Sequence, residues 1–214
     1  MSSIKLKHSG GNSVSLNPPT TAPTSSDVAF KLPNADGSAG QVLQTDGSGN
    51  LSWVTQTLPM VDHWRMTTST AAGVGSGATI TNWIQPSDTY SSPGRIGSSM
   101  SESSGIWTFP QTGIYNVTAT VTLILGVAND GLAQVRMYVT DNGGTNYHNV
   151  ALWRAGSHDD SIHHTVTNNY VIDVTNTSNV KFYFDHGSFS ANSYVGGNAT
   201  YNISNMTVIR LGDT

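Results

Sequence analysis

Residues 113–126 read GIYNVTATVTLILG. Tyr115, Val117, Ala119, Val121, Leu123 and Leu125 fall on one side, and Asn116, Thr118, Thr120 and Thr122 fall on the other. A period of two puts successive side chains on opposite faces of an extended strand, so this segment predicts a long strand with one buried and one polar face. Further strands follow on either side. Residues 134–140 alternate Val135, Met137 and Val139 with Gln134, Arg136 and Tyr138. The turn Asp141-Asn-Gly-Gly then predicts a hairpin with residues 147–154. Residues 165–174, 180–185 and 200–211 complete the C-terminal set, and 61–66 and 80–85 open it. Roughly eight to ten short strands punctuated by turns predict a sandwich or jelly roll, and roughly 155 residues is ample for such a core.

Composition points the same way. Only 10% of the 214 residues are charged, against about 25% in an average globular protein. Ser, Thr and Asn make up roughly a third of the chain. Their side chains compete with the backbone for hydrogen bonds, which disfavours helices, while Thr suits strands and Asn suits turns. The net charge is -4 and Lys5, Lys7 and His8 form the densest basic cluster, so a phosphate-neutralising nucleic-acid surface is not expected. Cysteine is absent. The longest apolar stretches are far shorter than a membrane span, and the N-terminus lacks a secretory signal pattern. Membrane insertion is therefore not expected either.

The N-terminal quarter has a different character. Ile4, Leu6, Val14 and Leu16 alternate with polar residues around Ser-Gly-Gly-Asn, a weak hairpin signal. Pro18–Ser26, PPTTAPTSS, reads as an extended linker. Residues 28–55 carry two Asp-Gly turns ten residues apart and short apolar alternations. The expected organisation is an N-terminal anchor and linker over 1–26, a short β-rich neck over 27–57 and a head over 58–214. One copy of 40–53, GQVLQTDGSGNLSW, cannot bury its apolar side chains. Its large apolar side chains are Val42, Leu43, Leu51 and Trp53.

The stretch SSGIWTFPQTGIYNVTATV, with Trp107, Phe109, Pro110, Gly113 and Tyr115, resembles the entry to the central strand of complement-type globular heads. These belong to the tumour-necrosis-factor-like jelly rolls. NVKFYFDHG and TYNISNMTVIRLGD resemble the last two core strands of that family. The segment KLPNADGSAGQVLQTDGSGNLSWV resembles a linker of bacteriophage fibre and other virion proteins, especially those of marine phages. These resemblances imply an all-β protein with a jelly-roll head, a homotrimer whose neck packs Val42, Leu43, Leu51 and Trp53 of three copies about the axis, and a place on the virion surface after synthesis in the host cytoplasm. They imply attachment to another virion protein through residues 1–26, with Ile4, Leu6, Val14 and Leu16 as the anchor. The implied task is non-enzymatic: a trimeric fibre whose head contacts a host-surface glycan or another envelope component. The alternative is a capsid decoration protein held by its N-terminal arm. A third reading, a polysaccharide depolymerase, is disfavoured by the low acid count.

GSHDDSIHH, residues 156–164, is the one chemically suggestive cluster. His158, His163 and His164 are candidate metal ligands, although their spacing matches no standard zinc signature. A solvated polar loop is the expected alternative. Family heads often hold calcium near the three-fold apex, but that role does not align onto Asp159 or Asp160. No cofactor is expected, and nothing in the sequence supports a divalent ion shared at the trimer axis. Gly73–Gly77, GVGSG, lacks the Lys-Ser/Thr of a phosphate loop and reads as a turn. Trp64, Trp83 and Trp107 are expected in the core. Trp153 and Arg154, with His158, Asp159 and Asp160, form the candidate ligand-contact set.

Overall fold

The computed structural model describes residues 4–24, 27–55, 58–71, 77–86, 95–126, 130–158, 161–190 and 192–214, with backbone alone at 130 and 131. Asp159, Asp160 and most of the 73–77 turn lie outside the described residues. The chain divides into two compact units, Met1–Thr57 and Leu58–Thr214. Every regular element among the described residues is a strand.

The first unit holds two separate antiparallel hairpins. One joins β1 (Ile4–Lys7) to β2 (Ser13–Leu16), and the other joins β3 (Gln41–Thr45) to β4 (Leu51–Thr55). The turn of the second hairpin is closed by Asp46, whose Oδ1 accepts from the backbone N–H of Ser48 at 2.8 Å and of Asn50 at 3.1 Å. That is the local side-chain bonding that makes Asp-Gly dipeptides turn formers.

The second unit is a sandwich of two antiparallel sheets. Its strands are β5 (Met60–Met66), β6 (Ala78–Thr79), β7 (Trp83–Ile84), β8 (Ile96–Gly97), β9 (Ser101–Ser103), β10 (Ile106–Thr108), β11 (Gly113–Leu125), β12 (Asp130–Thr140), β13 (His148–Ser157), β14 (Ile162–Val174), β15 (Lys181–Gly187), β16 (Tyr194–Val195) and β17 (Asn205–Gly212). One sheet has the order β14-β11-β17-β5-β7, with β16 on β11 and β8 on β5. The other has the order β13-β12-β15-β10-β9, with β6 on β15.

The central strand forms as its alternation predicts. Tyr115, Val117, Ala119, Val121, Leu123 and Leu125 are buried, and β11 pairs with β14 along its whole length. The Trp107–Tyr115 motif fills the centre of the core. Trp107 is fully buried, with its ring edge-on to Trp64 at 4.6 Å and stacked on Phe182 at 5.8 Å. Phe109 and Tyr115 pack at 4.7 Å, and the Tyr115 hydroxyl donates to the Gln111 carbonyl at 2.9 Å. Between Thr108 and Gly113 the chain passes from one sheet to the other. Gly113 makes that entry at φ +142, where a Cβ would lie 2.5 Å from both Arg210 Nε and the Gly212 carbonyl oxygen.

Three expected boundaries are corrected. Strand β14 starts at Ile162, three residues before the alternation suggested, because β11 runs on to Leu125 and its edge needs a partner. Strand β17 starts at Asn205, since residues 200–204 are drawn into a turn by Asn198 Oδ1, which accepts from the Thr200 N–H at 2.7 Å and the Tyr201 N–H at 3.0 Å. The expected 80–85 strand is reduced to β7, and β6, which precedes it, lies on the other sheet.

Candidate functional site

The outer face of the six-stranded sheet gathers the most varied chemistry in the head. Alternation on β12 and β15 turns Val135, Met137, Phe182 and Phe184 into the core, so Arg136, Tyr138, Tyr183 and Asp185 face outward. Register places Tyr138 opposite Tyr183 and Arg136 opposite Asp185. The two phenol rings stack at 5.1 Å, and Tyr147 meets Tyr183 edge-on at 4.8 Å. Arg136 grips Asp185 through two hydrogen bonds of 2.7 Å, and its guanidinium carbon lies 5.5 Å from the Tyr138 ring centre. The carboxylate at its side raises the Arg136 pKa further. Burial pushes the phenols of Tyr147 and Tyr183 above their ordinary value of 10.0, so both keep their donor proton at neutral pH. On the other side of Tyr183, Ile106 borders an open depression lined by Ser101, Glu102, Ser103, Thr108 and Lys181. Half-buried rings beside polar and charged donors and acceptors give contact area at low entropic cost, which suits recognition of a hydroxyl-rich surface.

The sequence-derived contact set is not assembled as expected. Trp153 is a core residue, 2% exposed, with its indole N–H donating to the Ala119 carbonyl at 2.9 Å and its ring edge-on to Phe184. The reason is register. Trp153 pairs with Val135, and paired residues point to the same side of a sheet. Arg154 does face outward, donating to Gln134 Oε1 at 3.2 Å. His158 is exposed just beyond β13. His163 and His164 are successive residues of β14 and point to opposite faces, so they do not converge on one ion within the chain. Among the described residues no group of three His, Asp or Glu is arranged to hold a metal. Sequence reasoning missed the tyrosine cluster because its members are far apart in the chain. The outward parity of Tyr138 was legible, but not what stood opposite it.

The outer face of the seven-stranded sheet is a ladder of neutral polar groups. Thr120 pairs with Thr167 at 2.9 Å, Thr122 with Thr165 at 2.8 Å, and Asn169 donates to Asn116 at 3.2 Å. His63 joins it through Thr207 at 3.0 Å and Asn202 at 3.2 Å. Burial lowers the His63 pKa, so the ring is neutral near pH 7.

In the first unit, the anchor candidates Ile4, Leu6, Val14 and Leu16 form two cross-strand pairs on one face of a ribbon and are 64% to 70% exposed. The neck candidates divide. Leu43 stands opposite Trp53, and Thr45 opposite Leu51, so Leu43, Leu51 and Trp53 share a face. Val42 lies on the other face, opposite Val54, which corrects its grouping with the other three.

No family model matches the sequence, and no curated protein is similar to it in sequence. Solved structures do match. The Eiger TNF of S. frugiperda superposes with a TM-score of 0.52 at 14% identity, covering 73% of this chain and 95% of that one. Murine APRIL at pH 5.0 superposes with a TM-score of 0.51 at 14% identity, covering 71% of this chain and 98% of that one. At such identities the likeness speaks for the fold: the chain is all-β, and its sandwich is a tumour-necrosis-factor-like jelly roll.

Proposed function

We propose that this chain is a non-enzymatic structural protein of a bacteriophage virion, a homotrimeric fibre whose jelly-roll head projects to contact a host-surface glycan. The observation that carries this reading is the union, in one chain, of a TNF-like jelly roll with an N-terminal unit in which no described residue is buried. Such a unit has no core of its own and makes sense as part of a larger assembly. The fibre-like sequence of residues 31–54 supports a virion as that assembly. Residues 1–26 then attach to another virion protein, and the neck joins this anchor to the head. The host contact falls on the outer face of the six-stranded sheet, around Tyr138, Tyr147 and Tyr183. No cofactor enters this reading.

A second reading, capsid decoration, is favoured by the N-terminal ribbon, whose four exposed aliphatic side chains form a ready docking face. Cryo-EM of virions labelled at the C-terminus separates the two. Label at the tail, with adsorption of the purified chain to host cells that host polysaccharide competes away, is the expected result. Label spread over the capsid, without adsorption, replaces the fibre reading with decoration.

A further inference from the structure

A third segment joins the β3–β4 hairpin. Lys31 forms a parallel bridge to Asn50, with its N–H donating to the Gly49 carbonyl at 2.8 Å and its carbonyl accepting from the Leu51 N–H at 2.9 Å. Residues paired across a bridge point to the same side of the sheet, and their chain neighbours point to the other. Lys31 therefore lies on the Asn50 side, while Phe30 and Leu32 lie on the side of Leu51. That is the face already holding Leu43 and Trp53. Leu32 is 74% exposed and Phe30 65%. Neither belonged to the sequence-derived neck set.

We infer that Phe30, Leu32, Leu43, Leu51 and Trp53 form one interface, and that its occupant is the same face of further copies of this chain. The inference rests on the trimeric reading above and assigns its neck contacts. Three features favour a second copy. First, four of the five, Phe30, Leu32, Leu43 and Trp53, are 39% to 74% exposed, on a unit in which no described residue is buried, so the chain alone offers them no core. Second, none of the five side chains carries a charge that would need a complementary partner. Lys31 lies on the opposite side, and the Asp46 carboxylate is held in its own turn by Ser48 and Asn50. A neutral apolar face is complementary to itself about a closed symmetry axis. Third, the polar atom of Trp53 is already satisfied within the chain, since its indole N–H donates to the Ala35 carbonyl at 3.0 Å. The ring can therefore be buried in a dry interface without an unpaired donor.

The test uses the full chain with Phe30→Ser and Leu32→Ser together, followed by sedimentation velocity over a concentration series. Because both side chains are exposed in the single chain, the head should melt as before. The expected result is a wild-type trimer at micromolar concentration and a double variant whose trimer needs at least ~100-fold more protein to form. Lys31→Ser and Val42→Ser, on the opposite face, should leave assembly unchanged. A wild-type trimer that survives the double substitution overturns this interface and leaves the trimeric reading standing. A wild-type monomer overturns both. Dissociation by Val42→Ser equal to that of the double variant overturns the assignment of the face.

Discussion

At the scale of single residues, the inward row of β5 contains one exception to its apolar pattern. Met60, Asp62, Trp64 and Met66 share a parity, and Asp62 is fully buried among them. Its carboxylate accepts from the Trp64 indole at 2.9 Å, the Met100 backbone N–H at 2.8 Å and the Gln85 amide at 2.8 Å. Gln85 in turn accepts from Arg95 at 2.6 Å. One acid thus ties β5 to the segments at Gln85 and Met100. Asp62→Ala leaves the buried Met100 N–H and two half-buried side-chain donors without their acceptor and should lower stability by about 3 kcal/mol. Asp62→Asn keeps acceptor capacity and should cost less. Urea denaturation of both variants checks this, and equal losses would refute the acceptor role.

At the scale of elements, the central strand is pinned at both ends by features outside its own alternation. Its start at Gly113 sits at positive φ against Arg210, whose Nε donates to the Thr112 carbonyl at 2.9 Å, and the register with β17 shifts between Ile114 and Tyr115. A side chain there meets a backbone carbonyl that cannot swing away. Gly113→Ala should cost roughly 3 kcal/mol through strain and displacement of Arg210. Thermal melting reads this directly, and a loss below ~1 kcal/mol would show that the bulge relaxes freely. At the other end, Leu123 and Ile124 recruit His164 and His163 into β14. The pairing demand of a long strand overrides the loop-like composition of GSHDDSIHH.

At the scale of the whole molecule, two histidines set how the head responds to acid. His186 is 3% exposed in the core with its ring against Phe189, and Nδ1 has no hydrogen-bond partner among the described residues. Burial lowers its pKa, with Asp185 opposing and Arg136 reinforcing the shift. His63 is lowered mainly by burial, with Asn202 and Asp62 opposing and Arg65 reinforcing. The unfolded chain therefore takes up protons that the folded head refuses. Their contribution is flat above the ordinary imidazole value of 6.5 and is lost as pH falls from there through the folded values. The urea midpoint should drop between pH 7.5 and 5.5, and His63→Gln with His186→Leu should flatten that slope. An unchanged slope in the double variant would assign the acid response elsewhere.

Local chemistry by itself determined the all-β class, the central strand, the hairpin at Asp141-Asn-Gly-Gly and the aromatic centre around Trp107. Each of these rests on a period of two, a turn dipeptide or a composition that disfavours helix, and all of them are short-range properties of the chain. Pairing decided the rest. A side chain's parity is legible along its own strand, but its partner across the sheet depends on register, which is fixed only when distant strands meet. That is why Trp153 proved to be core and Tyr183 came to lie on Tyr138. The same reason separates Val42 from Leu43, while a single bridge at Lys31 carries Phe30 and Leu32 onto the face of Trp53.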